Sequence, residues 1–190
     1  MVKSADVKEI VRVGLVLFAI TALAALVLAL MNGITAPVIA ENQAEKQSIA
    51  MQKVLPDADG FSDENLYTGD ENGVVTAIYA ATNDTGYAVM VSPLGYGGAI
   101  SMAVGIDKNA TVTGVDIISQ AETAGLGANC TKDEFKNQFI GKTAGIGVVK
   151  NGAKENQIDA ISSATITSKA VTSGVNAALD AVAQLEKGGA

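Results

Sequence analysis

The chain has 190 residues, enough for one domain or one domain with an anchor, and a formal charge of −7. It contains no histidine and a single cysteine, Cys130. That excludes the usual zinc-ligand sets, a Ser-His-Asp or Cys-His catalytic machine and an internal disulfide, and the acidic excess argues against a nucleic-acid partner, because it would repel phosphate.

Residues 13–36 carry no charge, and Val13 to Met31 (VGLVLFAITALAALVLALM) is almost wholly apolar. That run approaches the roughly 20 residues a helix needs to cross a hydrocarbon core about 30 Å thick. It is also longer than the apolar region of about 7–15 residues in a cleaved signal peptide. Lys3, Lys8 and Arg12 precede it, and the first basic residue after it is Lys46. The positive-inside rule therefore predicts a single-pass protein of the cell membrane, with residues 1–12 cytoplasmic, 13–36 transmembrane and the rest extracytoplasmic. Asn32, Gly33 and Pro37 are expected to loosen the helix. Residues 37–60 then read as a juxtamembrane helix or stalk, with Ile49, Val54 and Leu55 apolar before Pro56, and 57–73 as a polar surface connection.

The remaining chain, 61–190, reads as one domain. VVTAIYAAT (74–82) and YAVMVS (87–92) have strand composition and are separated by the turn Asn83-Asp84-Thr85-Gly86. AISMAVGID (99–107) and TVTGVDIIS (111–119) form a second pair, in which Gly114 signals a bulge or a close backbone approach. Thr131 to Glu134 fits a capping box, followed by Phe135 and Phe139 at helical spacing. GIGVV (145–149) reads as a strand. A last helix is expected from about Ser168, with Val171, Val175, Ala178, Leu179, Val182 and Leu185 on one face. Hairpins beside separate helices predict an α+β fold, a mainly antiparallel sheet with flanking helices.

Three stretches could carry chemistry. DAISSATITSKAV (159–171) crowds hydroxyls ahead of the last helix. Thr167 or Ser168 could cap that helix, and a loop of small hydroxylated residues at a helix start could equally hold an anion. LGYGGAISM (94–102) brings Gly95, Gly97 and Gly98 together, as a tight turn or for close approach of a ligand ring. AETAGLGAN (121–129) places Glu122 and Thr123 before Gly125-Leu126-Gly127, where positive φ at either glycine would leave the backbone free to meet a planar heterocycle. Cys130 reads as a small core residue.

An N-terminal span followed by GYGG, ETAGLG and D-x-I-S-S-A-T-x-T-S resembles the FMN-binding domain family over nearly the whole chain. Within that family it is most similar to G subunits of Rnf electron-transport complexes and to the related C subunits of sodium-pumping NADH:quinone oxidoreductases. The resemblance implies FMN joined by a phosphoester to Thr165 by a flavin transferase, with Asp159 in the transferase's recognition pattern and Ser162, Ser163 and Ala164 around the phosphate. It also implies that Glu122, Thr123, Leu126 and Gly127 lie against the isoalloxazine; Gly97, Gly98, Gly125 and Thr167 complete the expected cofactor-binding set. The family often has Gly at the position of Ser163, His at that of Gln120 and Pro at that of Ala124. The implied role is electron relay in a ferredoxin:NAD oxidoreductase complex with other membrane subunits, and the isolated chain is expected to have no catalysis of its own. A free-standing extracellular flavoprotein and a membrane-anchored, non-redox binding or sensor module are the alternatives.

Overall fold

A computed structural model describes residues 4–67 and 73–188. Lys3 of the basic flank and residues 68–72 of the polar connection lie outside the described residues. The chain divides into two units, Met1–Glu45 and Lys46–Ala190.

Helix α1 runs from Ser4 to Val54 and passes through Asn32, Gly33 and Pro37 without a break. The expected loosening does not occur. Pro37 removes only the one bond to the Gly33 carbonyl, and the helix continues on either side of it. Thr35 Oγ1 donates to the Met31 carbonyl, and Asn42 Nδ2 to that of Val38 at 2.8 Å. Within the first unit, large apolar side chains such as Leu15, Phe18 (70% exposed) and Leu28 have no covering element. The helix is long and apolar enough to cross a membrane.

The second unit is built on an antiparallel meander of β1 (Val75–Ala80), β2 (Gly86–Val91), β3 (Ser101–Asp107) and β4 (Val112–Ser119), in that spatial order. Alternation divides the side chains between two faces. Tyr87, Val89, Val91, Met102 and Val104 join the larger core with the last helix, whereas Ala77, Ala88, Met90 and Ala103 join Ala50, Met51 and Val54 from the end of α1. The segment 37–60, read as a stalk, thus sends its last helical turn into the core of this unit. Gly105 and Gly114 are opposite one another and admit the backbone of Val54; a β-carbon on Gly114 would lie 2.9 Å from Val54 Cα. Pairing also slips between Gly105 and Ile106, so Gly114 marks both a bulge and a close approach. Thr113 Oγ1 donates to the Val54 carbonyl at 2.5 Å and caps the helix end.

Beyond β4, 3-10 turns at Gly127–Thr131 and Asn137–Phe139 flank the short α2 (Asp133–Lys136). The predicted capping box does not form, because Thr131 is wound into the preceding turn and its hydroxyl donates to the Ala128 carbonyl at 2.9 Å. Phe135 and Phe139 do meet, edge to face at 5.5 Å. The strand read at 145–149 is β5 (Gly147–Val149), paired in parallel with β6 (Gln157–Asp159), which is too short to have shown a period in the sequence.

Helix α3 spans Thr165–Gly188 and buries Val171, Val175, Ala178, Leu179 and Val182. Each such aliphatic side chain contributes roughly 1.5–3 kcal/mol when removed from water. The helix begins three residues before the expected Ser168, which changes what its hydroxyls do. Ser168 Oγ donates to the Ala164 carbonyl at 2.9 Å and accepts from the Ile161 amide at 3.0 Å. Ser168 and Thr167 are buried inside the first turns, so neither is the N-cap.

Candidate functional site

Three segments far apart in sequence meet around an open cleft of about 540 Å³: the turn after Pro93, the loop after β4 and the first turn of α3. The turn is closed by Gly95 N donating to Gly98 O at 2.8 Å and Ile100 N to Pro93 O at 2.9 Å. The loop folds on itself as the Leu126 and Ala128 amides donate to Thr123 O.

Glu122 ties the three together. Its Oε1 accepts from the Tyr96 and Gly97 amides at 2.8 and 2.9 Å, and its Oε2 accepts from the Thr167 hydroxyl at 2.5 Å. Burial of the carboxyl opposes ionisation, but the donors Thr167, Gly97 and Tyr96 outweigh it and hold the group below its ordinary value of 4.5. This bracing is therefore complete above that value and is lost as pH falls through the lower folded-state one. Glycine is required where the carboxylate is seated: a β-carbon on Gly127 would strike Glu122 Oε2 and stand 2.6 Å from Thr167 Oγ1, and one on Gly97 would strike the Ala121 carbonyl.

Thr165 is the first residue of α3 and is exposed, and its hydroxyl has no hydrogen-bond partner among the described residues. The first amides of any helix lack intrahelical acceptors, so they favour an anion beside that hydroxyl. Ser162 and Ser163 are exposed beside it, and Ser163 has φ 62°. Apolar side chains form the rest of the cleft surface, with Tyr96 71%, Ile166 57% and Leu126 42% exposed. A phosphate at the helix start and a planar apolar ring against these side chains would suit this surface.

Residues 95–180 match the FMN-binding domain family, and residues 1–54 match the RnfG N-terminal region. The G subunit of the Na(+)-translocating ferredoxin:NAD(+) oxidoreductase complex of Acetobacterium woodii is 38% identical, covering 96% of each chain. The G subunit of the ion-translocating oxidoreductase complex of Methanosarcina acetivorans is 36% identical over 95% of this chain and 98% of its own. The chain belongs to this G-subunit family. The fold is also similar to the C subunit of the Na(+)-translocating NADH-quinone reductase from Parabacteroides distasonis. That match has a TM-score of 0.54 at 23% identity and covers 76% of this chain and 94% of that one.

Of the residues that the family resemblance singled out, Glu122, Thr123, Leu126, Gly127, Ser163, Ala164, Thr165 and Thr167 line the cleft. Gly97 reaches it through its amide on Glu122. Gly98, Gly125 and Ser162 are not among the lining residues, and Asp159 is turned away, accepting from the Ala153 amide at 2.9 Å. Gly125 takes φ 78° as expected, whereas Gly127 does not and serves close packing instead. Tyr96 and Ile166 were missed. Their signal was an aromatic inside a glycine run and an apolar residue following the hydroxyl cluster. Cys130 is fully buried, with burial and then the Glu122 charge pushing its thiol up to about 11, so it is a core residue.

Proposed function

We propose that the chain holds one FMN in this cleft, joined through its phosphate to Thr165 Oγ1. The electron-transfer role of the G-subunit family in ion-translocating oxidoreductases is then exercised through that group. The supporting observation is that the hydroxyl at the first helical position of α3 is exposed and, among the described residues, unbonded, in the same cleft as the Glu122–Gly127 loop. A plain capping role would have used Thr167 or Ser168, and both are engaged elsewhere.

When bound, FMN supplies the uptake and release of electrons, and the protein binds and orients it. Thr165 Oγ1 would hold the FMN phosphate as a phosphoester, with the net loss of one water, installed by a flavin transferase that recognises Asp159 and its surroundings. Thr165, Ile166 and Thr167 present the helix-start amides to the phosphate, whose remaining negative charge the helix dipole favours. Tyr96, Leu126 and Ile166 offer apolar surface to the ring, and Glu122 fixes the spacing of the walls. Other membrane subunits of an Rnf-type complex act as electron donor and acceptor, and the isolated chain turns over no substrate. The basic flank supports an orientation with residues 1–12 cytoplasmic and the FMN domain extracytoplasmic.

Protein coexpressed with the transferase should be heavier by one FMN less one water, with the added mass on the peptide containing Thr165. Thr165→Val keeps the shape without the hydroxyl and should abolish attachment, while Ser162→Ala retains it. Full attachment in Thr165→Val would disprove the assignment.

A further inference from the structure

Glu122 brings a formal negative charge into the cleft wall, and among the described residues no lysine or arginine pairs with it. Among the described residues, the ion pairs engage Lys53, Lys108 and Lys136, all with other carboxylates. The Glu122 carboxylate is satisfied only by dipoles, two amides and one hydroxyl, which orient the charge without cancelling it. The contacts themselves could be made by a neutral group, although the charge strengthens them. A glutamine carbonyl could accept from both amides, and its NH2 could donate to Thr167 Oγ1. Yet the surroundings are shaped around this group: β-carbons on Gly95 and Gly127 would strike its two oxygens. The donors also keep the carboxyl ionised at neutral pH.

We propose that Glu122 is a positioning residue whose uncompensated charge also lowers the reduction potential of the FMN in the cleft. The inference rests on the proposed cofactor reading. Bound there, FMN would supply the uptake and release of electrons, with any protons it takes up coming from water. Glu122 itself exchanges neither electrons nor protons. Any negative charge accumulating on the ring would be disfavoured by the carboxylate in the same cleft, an interaction that solvent in the open cleft partly screens.

The test uses the full-length chain coexpressed with the transferase, its potential titrated against a reference dye and its melting temperature recorded in parallel. Glu122→Gln should retain covalently attached flavin, with a melting temperature somewhat below that of the wild type because a neutral amide is the weaker acceptor. It should raise the equilibrium constant for reduction by roughly threefold or more, the scale of a unit charge acting across a partly screened wall. Thr167→Val keeps the carboxylate but removes a donor that offsets part of its charge, so its potential should fall. An unchanged potential in flavin-loaded Glu122→Gln, or an equal rise in both variants, would show that geometry rather than charge sets it. If Glu122→Gln fails to fold, Thr167→Val decides: a fall supports the proposal, and no change or a rise overturns it. A wild-type protein without flavin would overturn both readings together.

Discussion

Ser163 occupies the left-handed region at φ 62°, two residues before Thr165. A side chain there costs roughly 1–2 kcal/mol, whereas glycine sits there freely but loses about 0.5–1 kcal/mol through its more flexible unfolded chain. The first effect is the larger, so Ser163→Gly should be neutral to stabilising by up to about 1 kcal/mol. Ser163→Val, β-branched and poorly suited to positive φ, should be destabilising by about 1–2 kcal/mol or more. Chemical denaturation of the two variants reads the difference, and equal stabilities would show that the loop relaxes to a different conformation. A glycine at this position would suit the same backbone geometry. The Ser163 hydroxyl is therefore not needed to explain the residue's place in the loop.

At the scale of elements, the sheet has an unequal pair of faces: alanines at 77, 88 and 103 receive the end of α1, and larger residues receive α3. The β3–β4 pair is hollowed further by Gly105 and Gly114, and a β-carbon on Gly105 would strike the Val54 carbonyl. That neighbour is backbone, hydrogen-bonded by Thr113 Oγ1, which the added carbon would also strike, and it cannot swing away as a flexible side chain would. Gly105→Ala should therefore cost about 1–3 kcal/mol, the usual range for overpacking, by displacing the helix end. Thermal or urea unfolding in detergent measures it. A change below about 0.5 kcal/mol would mean that the helix end is not seated on the sheet.

At the scale of the molecule, an uncovered apolar helix and a compact, acidic cofactor domain share one chain. The basic residues before the span and their absence until Lys46 predict which side the domain occupies. Protease added outside intact cells, after removal of any outer wall, should digest the chain beyond about residue 45 and leave a protected N-terminal fragment. Complete protection of the domain would reverse the orientation.

The sequence alone determined the apolar helix long enough to span a membrane, the four strands of the meander, the apolar face of α3 and the hydroxyl cluster before it, because each rests on local period, composition or turn chemistry. It could not show that α1 continues through Pro37 and ends in the domain core, since the acceptor for Val54 is a pair of glycines 51 and 60 residues further on. Nor could it assign the hydroxyls one by one. Thr167 and Ser168 look like caps in sequence, and only the approach of Glu122 and Ile161 draws them inward and leaves Thr165 free. The cleft is likewise a product of tertiary structure. Tyr96, Glu122 and Thr167 are separated by 26 and 45 residues, and one carboxylate brings them together by accepting hydrogen bonds that no local pattern encodes.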